Sequence, residues 1–158
     1  MAPLIELLGS TFGFSVPGLP ERRREVAAPK PGGGFPVVVL LDEDRASQDL
    51  VEAYLDGMPT EVLRAWDGGK AFQLIRTVRP AAVVLEIGLP RLDGWQVIAA
   101  LKDDPVTAGI PIIIASTVDD RPRGRALGAA AYLLKPVRRD ELVNALRSVG
   151  ALPASEAS

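Results

Sequence analysis

The chain alternates short blocks of consecutive apolar residues with longer stretches where apolar residues recur every three or four positions. Val37-Val38-Val39-Leu40-Leu41, Ala82-Val83-Val84-Leu85, Ile112-Ile113-Ile114-Ala115 and Tyr132-Leu133-Leu134 are too short for helices. They have the pattern of strands buried on both faces. Glu61-Val62-Leu63-Arg64-Ala65 alternates weakly and predicts an edge strand. Between the blocks, Ala71, Leu74, Ile75 and Val78 fall on one helix face. Val97, Ile98 and Leu101 mark a second helix, and Leu142, Ala145, Leu146 and Val149 a third. A helix after Asp44 is expected to turn Ala46, Leu50, Ala53 and Tyr54 inward and to stop at Asp56-Gly57. A weaker helix is expected from about Arg123 to Leu127, with Pro122 in its first turn. Asp67-Gly68-Gly69, Arg79-Pro80 and Asp103-Asp104-Pro105 punctuate the pattern. Asp140-Glu141 and Arg147 suit the two ends of the last helix dipole. Five strand–helix units in a row predict an α/β protein: a parallel sheet with helices on both faces and right-handed crossovers.

The first 35 residues do not follow this pattern. Residues 1–36 hold six prolines and six glycines, and Pro29-Lys30-Pro31-Gly32-Gly33-Gly34 reads as a linker. Leu4, Ile5, Leu7, Leu8, Phe12 and Phe14 cluster within it. They suit a leader that is unstructured or lies on the domain, or a tethered docking peptide for a partner groove. Arg22-Arg23-Arg24, flanked by Glu21 and Glu25, reads as solvated linker. The expected organisation is a leader over 1–35, a domain over 36–150 and a tail over 151–158.

Composition narrows the chemistry. Eighteen basic residues against 20 acidic ones give a net charge of −2, so no basic field for nucleic acid or anionic lipid exists. The absence of cysteine excludes disulfides and thiolate chemistry, and the absence of histidine excludes imidazole bases and ligands. No apolar run approaches the roughly 20 residues of a membrane span. The N-terminus lacks a basic segment and carries Glu6, unlike a signal peptide. A cytoplasmic protein is the expectation.

In open parallel sheets, ligands bind at the carboxyl ends of the strands. The first strand ends in Asp42-Glu43, the third in Glu86, the fourth in Ser116 and the fifth in Lys135. Three carboxylates converging on one sheet edge repel unless they share a cation, and a hard Mg²⁺ ion suits oxygen ligands. The lysine and the serine would then face an anion held by that ion. This is the inventory of a phosphoryl-transfer site. No glycine-rich fingerprint follows the first strand, which disfavours a dinucleotide site.

Residues 36 to about 150 resemble the receiver domain of two-component response regulators. The resemblance rests on Asp42-Glu43, the loop Leu89-Pro90-Arg91-Leu92-Asp93-Gly94-Trp95, Ser116-Thr117, and the run Gly128-Ala129-Ala130-Ala131-Tyr132-Leu133-Leu134-Lys135-Pro136. Ala65-Trp66-Asp67-Gly68 is also similar to the family's second strand and turn. It implies a flavodoxin-like (βα)5 fold, doubly wound, with strand order 2-1-3-4-5. It also implies a role for each position: Glu86 where the phospho-accepting aspartate stands, and Asp42 and Glu43 at the Mg²⁺-binding pair with the Gly88 carbonyl as a backbone ligand. Ser116 and Lys135 would read the phosphoryl group, Tyr132 would be the aromatic that reports the state, and Lys135-Pro136 would be cis.

Two residues depart from that pattern, Glu86 and, more mildly, Glu43. Glu86 is one methylene longer than aspartate and carries its carboxylate toward the place the phosphoryl group would take. In-line attack needs the reacting atoms aligned within about 3–3.5 Å, so efficient phosphotransfer is not expected. Either Glu86 reaches Lys135 and Ser116 and imitates the phosphorylated state, or it neutralises the pocket and locks the domain inactive. Glu43 is expected to weaken Mg²⁺ binding, and Asp93 is ordinary turn chemistry. The expected function is therefore a single-domain, atypical receiver acting by phosphorylation-independent protein–protein interaction rather than as an enzyme. Its partners, a histidine kinase or an output protein, would dock on Asp120–Leu127, Tyr132–Leu134 and Asp140–Val149, a face that also suits a homodimer. A phospho-acceptor using Glu86 is the alternative. A flavodoxin-like binder of a small ligand is the second, and a cobalamin domain would need a histidine.

Overall fold

The four apolar blocks and the alternating segment Glu61–Ala65 form a single parallel sheet of order β2-β1-β3-β4-β5. The computed structural model describes residues 34–89 and 93–154. The chain divides after Gly34, and everything from Phe35 onward belongs to one unit. The apolar cluster of residues 4–14, the arginine run at 22–24, the loop positions 90–92 and the last four residues lie outside the described residues.

The elements run β1 (Val37–Leu41), α1 (Arg45–Leu55), β2 (Glu61–Ala65), α2 (Gly68–Val78), β3 (Ala82–Leu85), α3 (Gly94–Asp103), β4 (Ile112–Ser116), α4 (Arg121–Ala126), β5 (Ala131–Leu134) and α5 (Arg139–Ser148). Alternation along the strands sorts the side chains onto two faces. Val37, Val39, Leu41, Val83, Leu85, Ile112 and Ile114 pack against Ile75 of α2 and Trp95, Ile98 and Leu101 of α3. Val38, Leu40, Val84, Ile113 and Ala115 pack against Leu55 of α1 and Leu142 and Leu146 of α5. Burying each such side chain contributes about 1.5–3 kcal/mol, so both faces must be covered. That is why these strands are apolar at consecutive positions and why the sheet is doubly wound.

Local signals fix most helix starts. Asp44, Asp67, Asp93 and Asp120 are the N-caps of α1 to α4, each accepting a backbone N–H from the first turn. At α5, Glu141 accepts the backbone N–H of Arg138 at 3.1 Å. Helix α4 begins at Arg121, two residues before the expected start near Arg123, with Asp120 as its N-cap.

Two expectations are corrected. The inward face of α1 is formed by Gln48 and Leu55, with Val51 and Tyr54 half-buried, whereas Ala46, Leu50 and Ala53 are exposed. Gln48 takes an inward position because its amide is satisfied there: Nε2 donates to the Asp42 and Ala65 carbonyls, both at 2.8 Å. At the other end, Ala151 and Leu152 are not tail but core. Gly150, at φ +83°, turns the chain back so that the Ala151 amide donates to the Leu146 carbonyl at 2.9 Å.

The loop after β3 is seated on the first turn of α3. The Gly94 amide donates to the Ile87 carbonyl at 3.0 Å. A Cβ at Gly94 would lie 2.5 Å from the Ile87 Cα and 2.8 Å from the Glu86 carbonyl oxygen. Both are backbone atoms that cannot yield without moving Glu86. Gly94→Ala is therefore expected to destabilise the domain by about 1–3 kcal/mol, read as a lowered urea midpoint with unchanged slope. An unchanged midpoint would contradict this tight seating.

Candidate functional site

Strand register assembles the site. Leu41 pairs with Leu85, and Leu85 with Ile114, so β1, β3 and β4 end side by side. The Glu86 amide then donates to the Leu41 carbonyl at 2.9 Å, and the Lys135 amide to the Ser116 carbonyl at 2.9 Å. These bonds carry Asp42, Glu86, Ser116 and Lys135 to one edge. Asp42, Glu86 and Ser116 are buried, at 9%, 6% and 0% exposure.

Lys135 is the centre of this group. Its Nζ lies 2.7 Å from Asp42 Oδ2, 2.9 Å from Glu86 Oε1 and 3.1 Å from Ser47 Oγ. An ammonium has three N–H groups and here has three acceptors. Ser47 was not anticipated from sequence. Its hydroxyl also donates to Asp44 Oδ2 at 2.7 Å, so the cap that starts α1 aims it at Lys135. The Asp44-x-x-Ser47 spacing, one helical turn, was the available signal. Lys135-Pro136 is cis, as the resemblance implied.

Glu86 uses both carboxylate oxygens. Oε1 faces Lys135, while Oε2 accepts the Gly88 amide at 2.9 Å and the Ser116 hydroxyl at short range. From Ser116 the bonding continues outward. Ser116 Oγ accepts the Val118 amide at 3.0 Å, and the Val118 carbonyl accepts the Tyr132 hydroxyl. The Tyr132 oxygen in turn accepts the Asp120 amide at 3.1 Å. Asp120 caps α4, and a Cβ at Gly124 of that helix would lie 2.7 Å from the Tyr132 ring. One hydrogen-bonded path thus runs from the buried carboxylate to the start of α4.

The expected three-carboxylate cluster is not formed. Glu43 is exposed, and no group of three acidic residues suited to a metal ion occurs among the described residues. Asp42 meets Lys135 at 2.7 Å, whereas Glu43, the next residue in the loop after β1, is exposed. Lys135 already occupies the space between Asp42 and Glu86 that a divalent ion would take, and Gly88 contributes its amide to Glu86. In this arrangement a divalent ion reaches Asp42 and Glu86 only by displacing Lys135. Asp93 caps α3, with the Trp95 amide 3.0 Å from Oδ1, and takes no part in the site.

The electrostatics follow from these contacts. Burial pushes the Glu86 carboxyl up, but the Ser116 hydroxyl, the Gly88 amide and the Lys135 ammonium outweigh it, so its pKa lies below the ordinary 4.5. Burial likewise pushes Lys135 down, and Asp42 and Glu86 more than reverse that, raising it above 10.5. The lowered carboxyl gives stability that is present above about pH 4.5 and lost as pH falls through its folded value. The raised ammonium gives stability that is present below about pH 10.5 and lost as pH rises through its folded value.

Comparison with known proteins identifies the family to which this fold belongs. Residues 38–147 match the family model of the response regulator receiver domain. Protein PilG of Pseudomonas aeruginosa is 31% identical over 114 residues, spanning 70% of this chain and 84% of PilG. The crystal structure of a putative response regulator from Chloroflexus aurantiacus superposes with a TM-score of 0.68 at 29% identity, covering 73% of this chain and 97% of that one. The Mn²⁺-bound form of response regulator Rcp1 shares the fold, with a TM-score of 0.62 at 23% identity over 75% of this chain and 99% of that one. The chain belongs to the response regulator receiver domain family of two-component signalling.

Glu86→Gln keeps the side-chain shape and removes the charge. At pH 7 it is expected to lower unfolding stability by about 1–3 kcal/mol, the scale of a charged hydrogen bond. Urea titrations across pH should show the gap between the two proteins closing below pH 4.5. A gap that is constant from pH 7 to pH 3 would contradict the ionised bridge.

Proposed function

We propose that this receiver domain acts without phosphorylation, with Glu86 supplying the anion that the family's phosphorylated aspartate would supply. The observation that carries this reading is that one carboxylate meets both Ser116 and Lys135. Those are the two side chains that would otherwise read a phosphoryl group. An anion fixed there can bias a two-state loop with no chemistry at all. The Ser116–Val118–Tyr132–Asp120 path supplies the connection to that loop.

The same geometry argues against Glu86 as a nucleophile. Both its oxygens are engaged, and the carboxylate fills the position an incoming phosphoryl group would need. Mg²⁺ binding, in this reading, is weakened because an ion must displace Lys135 from Asp42 and Glu86. The domain has no catalytic role of its own and signals by binding.

The output face is α4, β5 and α5. Strand β5 is the last in the sheet, and among the described residues no strand pairs with its outer edge. Arg121, Arg123 and Arg125 are exposed on α4, so a partner with carboxylates at its contact surface fits best. That partner is a histidine kinase, an output protein or a second copy of this chain. Among the described residues no helix is long and apolar enough to cross a membrane, and a cytoplasmic location goes with this reading.

Intact mass after incubation with Mg²⁺ and acetyl phosphate tests the proposal on the native chain and on Glu86→Asp. The shorter side chain withdraws its carboxylate from Ser116 and opens room for a phosphoryl group. Only Glu86→Asp is expected to gain a single phosphate. Stoichiometric phosphate on the native chain would overturn the proposal and make Glu86 an acceptor.

A further inference from the structure

The Arg123 guanidinium of α4 lies 4.6 Å from the centre of the Trp95 ring, in the first turn of α3. A cation within about 6 Å of an indole face is attracted to it. Both partners are fixed. Trp95 is buried in the core, and its amide donates to Asp93 Oδ1 at 3.0 Å. The Arg123 amide donates to Asp120 Oδ1 at 3.2 Å. The side chain is thus held at its base and at its tip. Yet among the described residues its guanidinium donates to no acceptor and pairs with no carboxylate. Other arginines are committed: Arg64 to Asp49 and Glu52, Arg76 to Asp104. A guanidinium over a ring uses its face, and its N–H groups stay free in a fork that matches a carboxylate. The charge around it has one sign. Arg121 and Arg125 are exposed on the same helix, and α4 carries no acidic residue, in a chain whose net charge is −2.

We propose that Arg123, held in place by Trp95, is the anchor of the α4 face for an aspartate or glutamate side chain on an acidic segment of a partner protein. This rests on reading α4 as part of the output face, and adds which side chain leads there. An ordinary surface arginine loses side-chain freedom when it binds, whereas one already held over a ring loses less. Its fork gives two parallel charge-assisted hydrogen bonds to one carboxylate. Arg121 and Arg125 have no ring contact among the described residues, and they supply attraction and a faster encounter rather than grip. The bound carboxylate would also meet a cation resting on the turn that seats Glu86, since the neighbouring Gly94 amide donates to the Ile87 carbonyl.

A hexaglutamate peptide tests this, with hexaglutamine as its neutral match and inorganic phosphate as a second oxyanion. Titrated into the ¹⁵N-labelled full chain, hexaglutamate is expected to give saturable shifts at the Arg123 Nε–H and the Trp95 indole N–H, and hexaglutamine none. Arg123→Lys keeps the charge and loses the fork, and is expected to weaken binding about tenfold. Arg121→Lys and Arg125→Lys are expected to change it by less than about twofold. Trp95→Leu keeps an apolar side chain in the core and removes the ring, and is expected to weaken binding as Arg123→Lys does. Arg123 is exposed, so its variants keep the fold and decide the anchor even where Trp95→Leu unfolds. Saturable shifts on α4 with equal losses for the three lysine variants would overturn the anchor and leave the face standing. No shifts on α4 at all would overturn the face together with its anchor. Undiminished affinity in a folded Trp95→Leu would overturn the part given to the ring, and phosphate binding at Arg123 more tightly than hexaglutamate would overturn the carboxylate.

Discussion

The Lys135 ammonium, held at 2.7 Å from Asp42 and 2.9 Å from Glu86, is the interaction on which the site depends. Two carboxylates at neighbouring strand ends cannot both stay ionised and buried without a positive charge between them. The chain supplies that charge from its own fifth strand end. The parallel register makes this possible, since Asp42, Glu86 and Lys135 lie far apart in sequence and meet only because β1, β3, β4 and β5 end on one edge. The bridge therefore ties the function of the site to the completion of the sheet.

Glu86 converts this local neutralisation into a link with the surface. Its second oxygen takes the Ser116 hydroxyl and the Gly88 amide, so the carboxylate is clamped on both sides. Ser116 then orders Val118, and Tyr132 closes the loop onto the α4 cap. Gly124 is needed for that closure, because the Tyr132 ring lies where a larger residue's Cβ would stand. The length of Glu86 lets one carboxylate meet Ser116 and Lys135 together.

Most of the fold was legible in the sequence because its signals are local. Four of the five strands are blocks of consecutive apolar residues, the caps of α1 to α4 are single aspartates, and β1, β3, β4 and β5 each end at a polar side chain. The meeting of Glu86, Ser116 and Lys135 followed from placing those ends on one edge. What was not legible depended on tertiary partners. Gln48 lies inside only because two carbonyls from different segments receive its amide. Ala151 and Leu152 are core only because Gly150 reverses the chain, and two apolar residues carry no period to reveal it. Glu43 was expected at the site because the resemblance puts the family's acidic pair at Asp42-Glu43, and in the loop after β1 it is exposed.

The central claim is that Glu86 holds the β4–α4 loop in the state that a phosphorylated aspartate would impose. Amide chemical shifts of Val118 and Asp120 test this most directly, compared between the native chain and Glu86→Asp before and after treatment with Mg²⁺ and acetyl phosphate. The account predicts that the native shifts coincide with those of the phosphorylated Asp variant. Native shifts that coincide instead with the unphosphorylated variant would contradict it.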